Sequence, residues 1–335
     1  MSEIIKLKKG LNLKLKGAAE KILSPGTPAG RYGVKPVDFP GLVPKLLVKP
    51  GEEVKAGSAL FYDKFRPEVK FTSPVSGKVL DVVRGERRRI LEVIVEEKGK
   101  DYVDFGTAKP DSLSVEEIKE RLLGSGLWPV IRQRPYHIVA IPDQEPKSIF
   151  ISCFDTSPLA PDYDFVMHNS DKKEFQLGID VLGRLTRGSV NLVIDATNMS
   201  GSVLKGISGV VKHYVKGPHP AGNVGVQIHH IDPVNKGEVV WNVNLQDVSA
   251  IGRLFIEGVY RHDRIIALAG SEVIRPSYHR IRSGASISPT VIGNIRPGEV
   301  RYISGNVLTG TAIREDGFLG YYDNMVSVIP EGRYH

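Results

Sequence analysis

The chain has 335 residues, 41% of them hydrophobic, with a formal net charge of +7 and a single cysteine. That length holds two or three domains with real cores, and the lone Cys153 excludes disulfide frameworks, Cys-rich zinc sites and cysteine-ligated iron–sulfur clusters within the chain. No apolar run approaches the roughly 20 residues a membrane-spanning helix needs, and the basic N-terminus lacks the apolar core of a signal peptide, so a reducing cytoplasm is the expected setting.

From Lys45 to Val95, short runs rich in Val, Leu and Ile alternate with turn signals at Pro50-Gly51, Ala56-Gly57, Ser73-Pro74 and Ser76-Gly77. Tight reversals at that spacing predict a small flattened β-barrel. The run resembles the biotinyl/lipoyl carrier module, with Lys64 close to the position of its lysine-bearing hairpin. Phe65-Arg66-Pro67 departs from the sequences that follow an acylated lysine, so Lys64 reads as a surface lysine on a reused scaffold. Basic clusters at Lys6-Lys8-Lys9 and Arg87-Arg88-Arg89 carry no interleaved aromatic residues, and no nucleic-acid surface is expected.

Beyond Tyr102 the pattern changes. Ser114 followed by Glu117 is a capping box, and Val115, Ile118 and Leu122 recur at helical spacing up to Gly124 and Gly126. Ser148–Phe154 is a continuous apolar run of strand length, as expected for a strand covered on both faces, and Val190–Asp195 reads as a second buried strand. A helix is predicted from Lys172 to Thr186. A second, capped by Ser202 and carrying Leu204, Ile207, Val211 and Tyr214, should end at Gly217-Pro218. Glu238–Val243 reads as a strand and Asp247–Glu257 as the helix after it. This alternation predicts an α/β layer with a mainly parallel sheet. Arg264–Gly270, Val273–Pro276, Ser283–Ile287 and Arg301–Gly310 then resemble the soluble-ligand-binding β-grasp module.

The three pieces in this order resemble one group of redox proteins, which includes the flavin-bearing NADH-oxidising subunit of complex I and the Rnf C subunit. The best fit over the whole chain is the A-subunit family of sodium-translocating NADH:quinone oxidoreductases. The residues that carry it are Gly10–Leu13, Gly26-Thr-Pro28, Asp155–Ala160 and the loop Lys216–Gly225 leading to Ile228–Pro233. The resemblance implies an α/β multidomain protein. Residues 1–100 would hold the lipoyl-like barrel-sandwich, 101–260 a Rossmann-like α/β domain and 261–335 a β-grasp module with a tail. The family's C-terminal domain is expected to lie outside this chain.

Flavin-binding relatives carry a glycine-rich loop where this chain has Gly124-Ser-Gly-Leu-Trp-Pro129. Leu127 and Trp128 put bulk where a phosphate needs bare backbone, so no flavin or NADH is expected on this chain. The resemblance implies instead a cofactor-free accessory subunit, peripheral at the cytoplasmic face of the bacterial inner membrane and docked to the membrane-embedded B subunit. Flavins, iron–sulfur centres and NADH would belong to partner subunits, and quinone is the ligand a vacated pocket would take. Candidate pocket residues are Trp128, Arg132, Arg134, Asp155 and Thr156, with Trp128 reading first as a core residue that plugs the vacated flavin space. Gly217, Pro218, His219, Pro220, Gly222 and Asn223 are candidates for a loop that lines the pocket or meets a partner. Of His213, His219, His229 and His230, no two are spaced as clean metal ligands. Two other readings stand beside this one: a purely structural scaffold, and an Rnf-type electron-transfer protein.

Overall fold

A computed structural model of the chain describes residues 4–198 and 203–332. The first three strands, β1 (Ile4–Lys6), β2 (Leu23–Ser24) and β3 (Arg31–Val34), join three different sheets. Strand β3 continues into β4 (Pro44–Leu46), β5 (Glu53–Val54), β6 (Ala59–Asp63), β7 (Arg66–Thr72), β8 (Gly77–Arg84) and β9 (Ile90–Glu97). These form two small antiparallel sheets, in the orders β3-β9-β8-β5 and β4-β6-β7. Alternate residues such as Leu60, Val69, Phe71, Val79, Val93 and Val95 close on a shared core. This is the barrel-sandwich that the turn spacing predicts. Lys64 and Phe65 form the tip of the β6–β7 hairpin, and Phe65 is 70% exposed.

Helix α1 (Val115–Ser125) starts on the predicted capping box. The Glu117 N–H donates to the Ser114 side chain, and Glu117 reaches back to the Ser114 N–H at 2.7 Å. The chain then enters a seven-stranded sheet through β10 (Arg132–Arg134), β11 (Ile138–Val139), β12 (Ile149–Ser152), β13 (Val190–Asp195), β14 (Val211–Lys216) and β15 (Val240–Asn244). Its order is β1-β14-β13-β12-β15-β10-β11, parallel from β1 to β15 and antiparallel through β10 and β11.

Helices α2 (Tyr163–His168), α3 (Lys172–Arg184), α4 (Val224–Ile231) and α5 (Leu245–Glu257) complete this layer. One face of the sheet packs Ile149, Ile151, Leu192 and Trp241 against Phe175, Ile179 and Leu182 of α3 and Val248 and Ile251 of α5. The other buries Phe150, Val193 and Val240 against Ile228 of α4. Helices α3 and α5 cross backbone to backbone. A Cβ added at Gly252 would stand 1.8 Å from the Glu174 carbonyl oxygen, and one at Gly178 would stand 2.0 Å from that of Val248.

The helix expected to carry Leu204, Ile207, Val211 and Tyr214 does not form. Its predicted cap, Ser202, lies outside the described residues; Val203–Gly206 is a single 3-10 turn, and Val211–Lys216 is strand β14. The apolar spacing suits a 3.6-residue repeat, but Gly206 and Gly209 interrupt it. Parallel pairing with β13 then gives the β-branched segment its backbone partners. Conversely, α4 forms within the stretch read as a long loop and its exit.

The last region is a six-stranded sheet of β16 (Asp263–Ala269), β17 (Ser277–Arg282), β18 (Val300–Ser304), β19 (Thr311–Ile313) and β20 (Met325–Pro330), with β2 at its edge. Ile266, Leu268, Val291, Val326 and Val328 form its core. At its junction with the α/β layer, Asp247 of α5 lies in a buried charged cluster. Its Oδ1 is 2.7 Å from His262 Nε2 and 2.9 Å from Arg264 Nη2, and all three side chains are essentially inaccessible.

Candidate functional site

In the seven-stranded sheet, β13 and β14 lie on one side of β12, and β15 lies on the other. The strand order therefore reverses between β12 and β15. In a parallel α/β sheet the crevice outside the carboxyl ends at such a point is the natural ligand position. Period-two alternation places Arg132 and Arg134 on one face of β10, where they register with Asn242 and Val240 of β15. Arg134 Nε donates to Asn242 Oδ1 at 3.3 Å, and Arg132 Nη2 donates to Asn244 Oδ1 at 3.5 Å.

The end of β12 supplies the second wall. Thr156 Oγ1 accepts the Gly222 N–H at 2.9 Å and lies 3.2 Å from His219 Nδ1. A Cβ at Gly222 would meet the Thr156 nitrogen at 2.5 Å, so the 217–223 loop can close on Asp155 and Thr156 only with glycine there. His219 N–H donates to Asn12 Oδ1, Gly217 packs on Leu7, and Asn223 is the N-cap residue of α4. Pro218 and Pro220 flank His219 in the same turn. Of the first group of residues that the sequence suggested, Asp155 and Thr156 thus meet the loop of the second. Asp155 Oδ1 accepts the Ser157 N–H at 2.7 Å and lines a cavity of about 230 Å³ with Asp162, Tyr163 and Asp195.

Trp128 is not gathered with the arginines. It is 0% exposed on the opposite side of β10, its indole N–H donates to the Ala140 carbonyl at 2.7 Å, and its ring meets Trp241 edge-on at 5.5 Å. Leu127 beside it is equally buried. The four histidines disperse: His213 on β14 bonds Asn191, His219 faces Thr156, and His229 and His230 lie in the last turn of α4. Among the described residues no His/Cys/Asp/Glu group is arranged to hold a metal ion.

Sequence reasoning missed His137 and Tyr322. The Arg132 guanidinium lies 4.4 Å over the Tyr322 ring, whose hydroxyl donates to the Pro129 carbonyl. Arg132 Nη1 is 2.8 Å from His137 Nε2. His137 sits at φ 58°, a conformation most side chains avoid. The alternation Arg132-Gln133-Arg134 was the one local signal; Tyr322 comes from the far end of the chain.

Electrostatics at this cluster are one-sided. Burial, and then the neighbouring Arg132 and Arg134, push the His137 imidazole down to about 3. Burial followed by Arg132 lowers Arg134 to about 10. An unfolded His137 takes up a proton below its ordinary value of 6.5, while the folded one resists until about 3. Between those values the unfolded chain binds more protons, so stability falls as the pH falls. The urea midpoint should therefore drop on acidification from pH ~7.5 to ~5. His137→Asn, which tolerates the backbone angle, should lessen that slope; an unaltered slope would show that His137 does not contribute.

Three family models match the chain in order. They are the NqrA N-terminal barrel-sandwich hybrid domain over residues 5–98, the NqrA second alpha/beta domain over 113–260 and the NQRA C-terminal domain over 265–315. The chain is 40% identical over 336 residues to the A subunit of Na(+)-translocating NADH-quinone reductase from Yersinia pestis bv. Antiqua (strain Angola), covering 98% of this chain and 74% of that protein. The protein of the same name from Hahella chejuensis is 40% identical over 333 residues, and that from Vibrio atlanticus 38% over 334, with the same coverage.

Proposed function

The chain belongs to the A-subunit family of the Na(+)-translocating NADH-quinone reductases, and on that premise we propose that it is a cofactor-free accessory component of such a reductase. It docks on the membrane-embedded part of the complex, the B subunit in particular, at the cytoplasmic face and contributes to the quinone site. No helix among the described residues is long and apolar enough to cross a membrane, which suits a peripheral position. The observation that carries the reading is the match over 98% of the chain to relatives of that name.

The α/β layer is read as Rossmann-like and the six-stranded region as a β-grasp module, with boundaries near residues 100 and 260. Strand order supports the first, through the reversal between β12 and β15. The quinone ring is placed in the crevice there, one carbonyl toward Arg132 and Asn244, the other toward Thr156, with Arg134 and Asp155 on its rim. Trp128 supports the wall from behind.

Membranes lacking this chain should lose sodium-dependent quinone reduction and regain it when the purified chain is added. Undiminished activity without it would overturn the reading. Within that assay, Thr156→Val and Arg132→Leu should raise the quinone KM about tenfold, the value of one lost hydrogen bond to a charged or fixed group. A KM unchanged in both would make the chain a docking scaffold, with the quinone held by its partners.

A further inference from the structure

The Arg132–Arg134–His137 cluster holds positive charge that the chain itself does not neutralise. Among the described residues, neither guanidinium has a carboxylate within ion-pair distance; their polar partners are His137, Asn242 and Asn244. The carboxylates whose fields reach Arg132 are Asp247 and Asp323. Both are committed elsewhere, Asp247 to Arg264 at 2.9 Å and Asp323 to the Ser304 hydroxyl at 2.6 Å. Buried arginines are ordinarily paired, because an unpaired buried charge is costly.

The same cluster leaves donors unused. Arg132 Nε and His137 Nδ1 are buried and have no hydrogen-bond partner. With Nε2 accepting from Arg132, Nδ1 carries the imidazole proton and is a donor. Helix α4 presents its start here: Gly225 lies against Arg134, and a Cβ at that position would stand 3.5 Å from Arg134 Nη1. The first intrahelical donors are Val226 and Gln227, both to the Asn223 carbonyl. The N–H groups of Val224 and Gly225 therefore remain unbonded at the positive end of the helix.

We propose that this cluster is a phosphate-binding site, taking a dianionic phosphate group through Arg134, Arg132, His137 and the first N–H groups of α4. Two guanidinium groups, an imidazole N–H and a helix start match the several oxygen acceptors of a phosphate, whereas a carboxylate would leave donors over. With no side chain at Gly225, no atom of that residue's own shields the Arg134 guanidinium from the start of the helix. The site stands whether or not a quinone occupies the crevice, because it rests on unpaired charge rather than on the family.

The test is titration calorimetry of the full chain with inorganic phosphate at constant ionic strength and without quinone. A nucleoside monophosphate serves as the probe for a phosphate monoester. Saturable binding should weaken roughly tenfold or more in Arg134→Gln, the loss of a charge-assisted contact. It should be unchanged in Lys55→Gln, an equal charge change on the distant barrel. Gly225→Ala, whose Cβ would stand against Arg134 without altering charge or opposing helix formation, should weaken it as well. Tighter binding of the monoester would identify an organic phosphate as the ligand, and equal affinities free phosphate. Absence of saturable binding by both probes, or binding undiminished in Arg134→Gln and Gly225→Ala, would overturn the proposal.

Discussion

Gly252→Ala is expected to destabilise the chain by about 3 kcal/mol or more, the upper end for overpacking a filled interior. On an isolated helix the same change would stabilise, because alanine is the better helix former by ~1 kcal/mol. Here the new methyl would sit 1.8 Å from the Glu174 carbonyl oxygen and 2.8 Å from the Gly178 nitrogen. Those atoms belong to the backbone of α3 and cannot rotate away, so the helices must separate. That separation would open the core between Phe175, Ile179, Val248 and Ile251. Gly183→Ala, on α3 itself, has nothing within 4 Å of its added Cβ and should stabilise by roughly 0.5–1 kcal/mol. Chemical denaturation of the two variants measures the contrast. A Gly252→Ala variant as stable as Gly183→Ala would show that α3 and α5 do not cross this closely.

Asp247→Leu should cost about 3–5 kcal/mol, the range for stranding a buried charge by removing its partner. Asp247 is 1% exposed and shares Oδ1 with Arg264 and His262. Burial alone would raise its carboxyl, but the Arg264 charge, with His262 beside it, more than offsets that and holds it below the usual range. The stability this supplies is complete above the ordinary carboxylate value and is lost as the pH falls through the lowered one. Arg264 would be left with the Asp323 carbonyl and His262 Nε2 as polar partners and no counter-charge. The double variant Asp247→Leu, Arg264→Leu removes both charges and should recover part of the loss. A double-mutant cycle by urea unfolding reads the coupling directly, and purely additive losses would show that the two side chains do not act as a pair.

Local signals carried much of the fold. The Ser114–Glu117 box is complete within four residues, so its helix was readable wherever the rest of the chain went. The runs Ile149–Ser152 and Val190–Asp195 are largely apolar because helices cover both sheet faces, which leaves the same trace in any sequence. Val211–Lys216 failed for the opposite reason. Its helical spacing is accidental, and only a partner strand from a different part of the chain makes it β. The site divides in the same way. Alternation placed Arg132 and Arg134 on one face, whereas Tyr322 and Asn244 reach Arg132 through the fold and left no local mark. Trp128, a large ring beside a glycine turn, was open to two readings, a pocket lining or a core residue that plugs the vacated flavin space. Its burial behind β10 depends on Trp241 and Ala140, which the local sequence could not show.

The amino-terminal segment has a consequence for how the molecule is made. Strands β1, β2 and β3 each finish a different sheet, and the hydroxyls of Ser24 and Ser277, 3.3 Å apart, are separated by 253 residues of chain. At ribosomal speeds of about 5–20 residues per second, the partner of β2 emerges roughly 10–50 s after β2 itself. Throughout that interval β2 has no strand to pair with. Assembly of the seven- and six-stranded sheets thus waits on translation, and β1 and β2, the first strands exposed, are among the last to be secured.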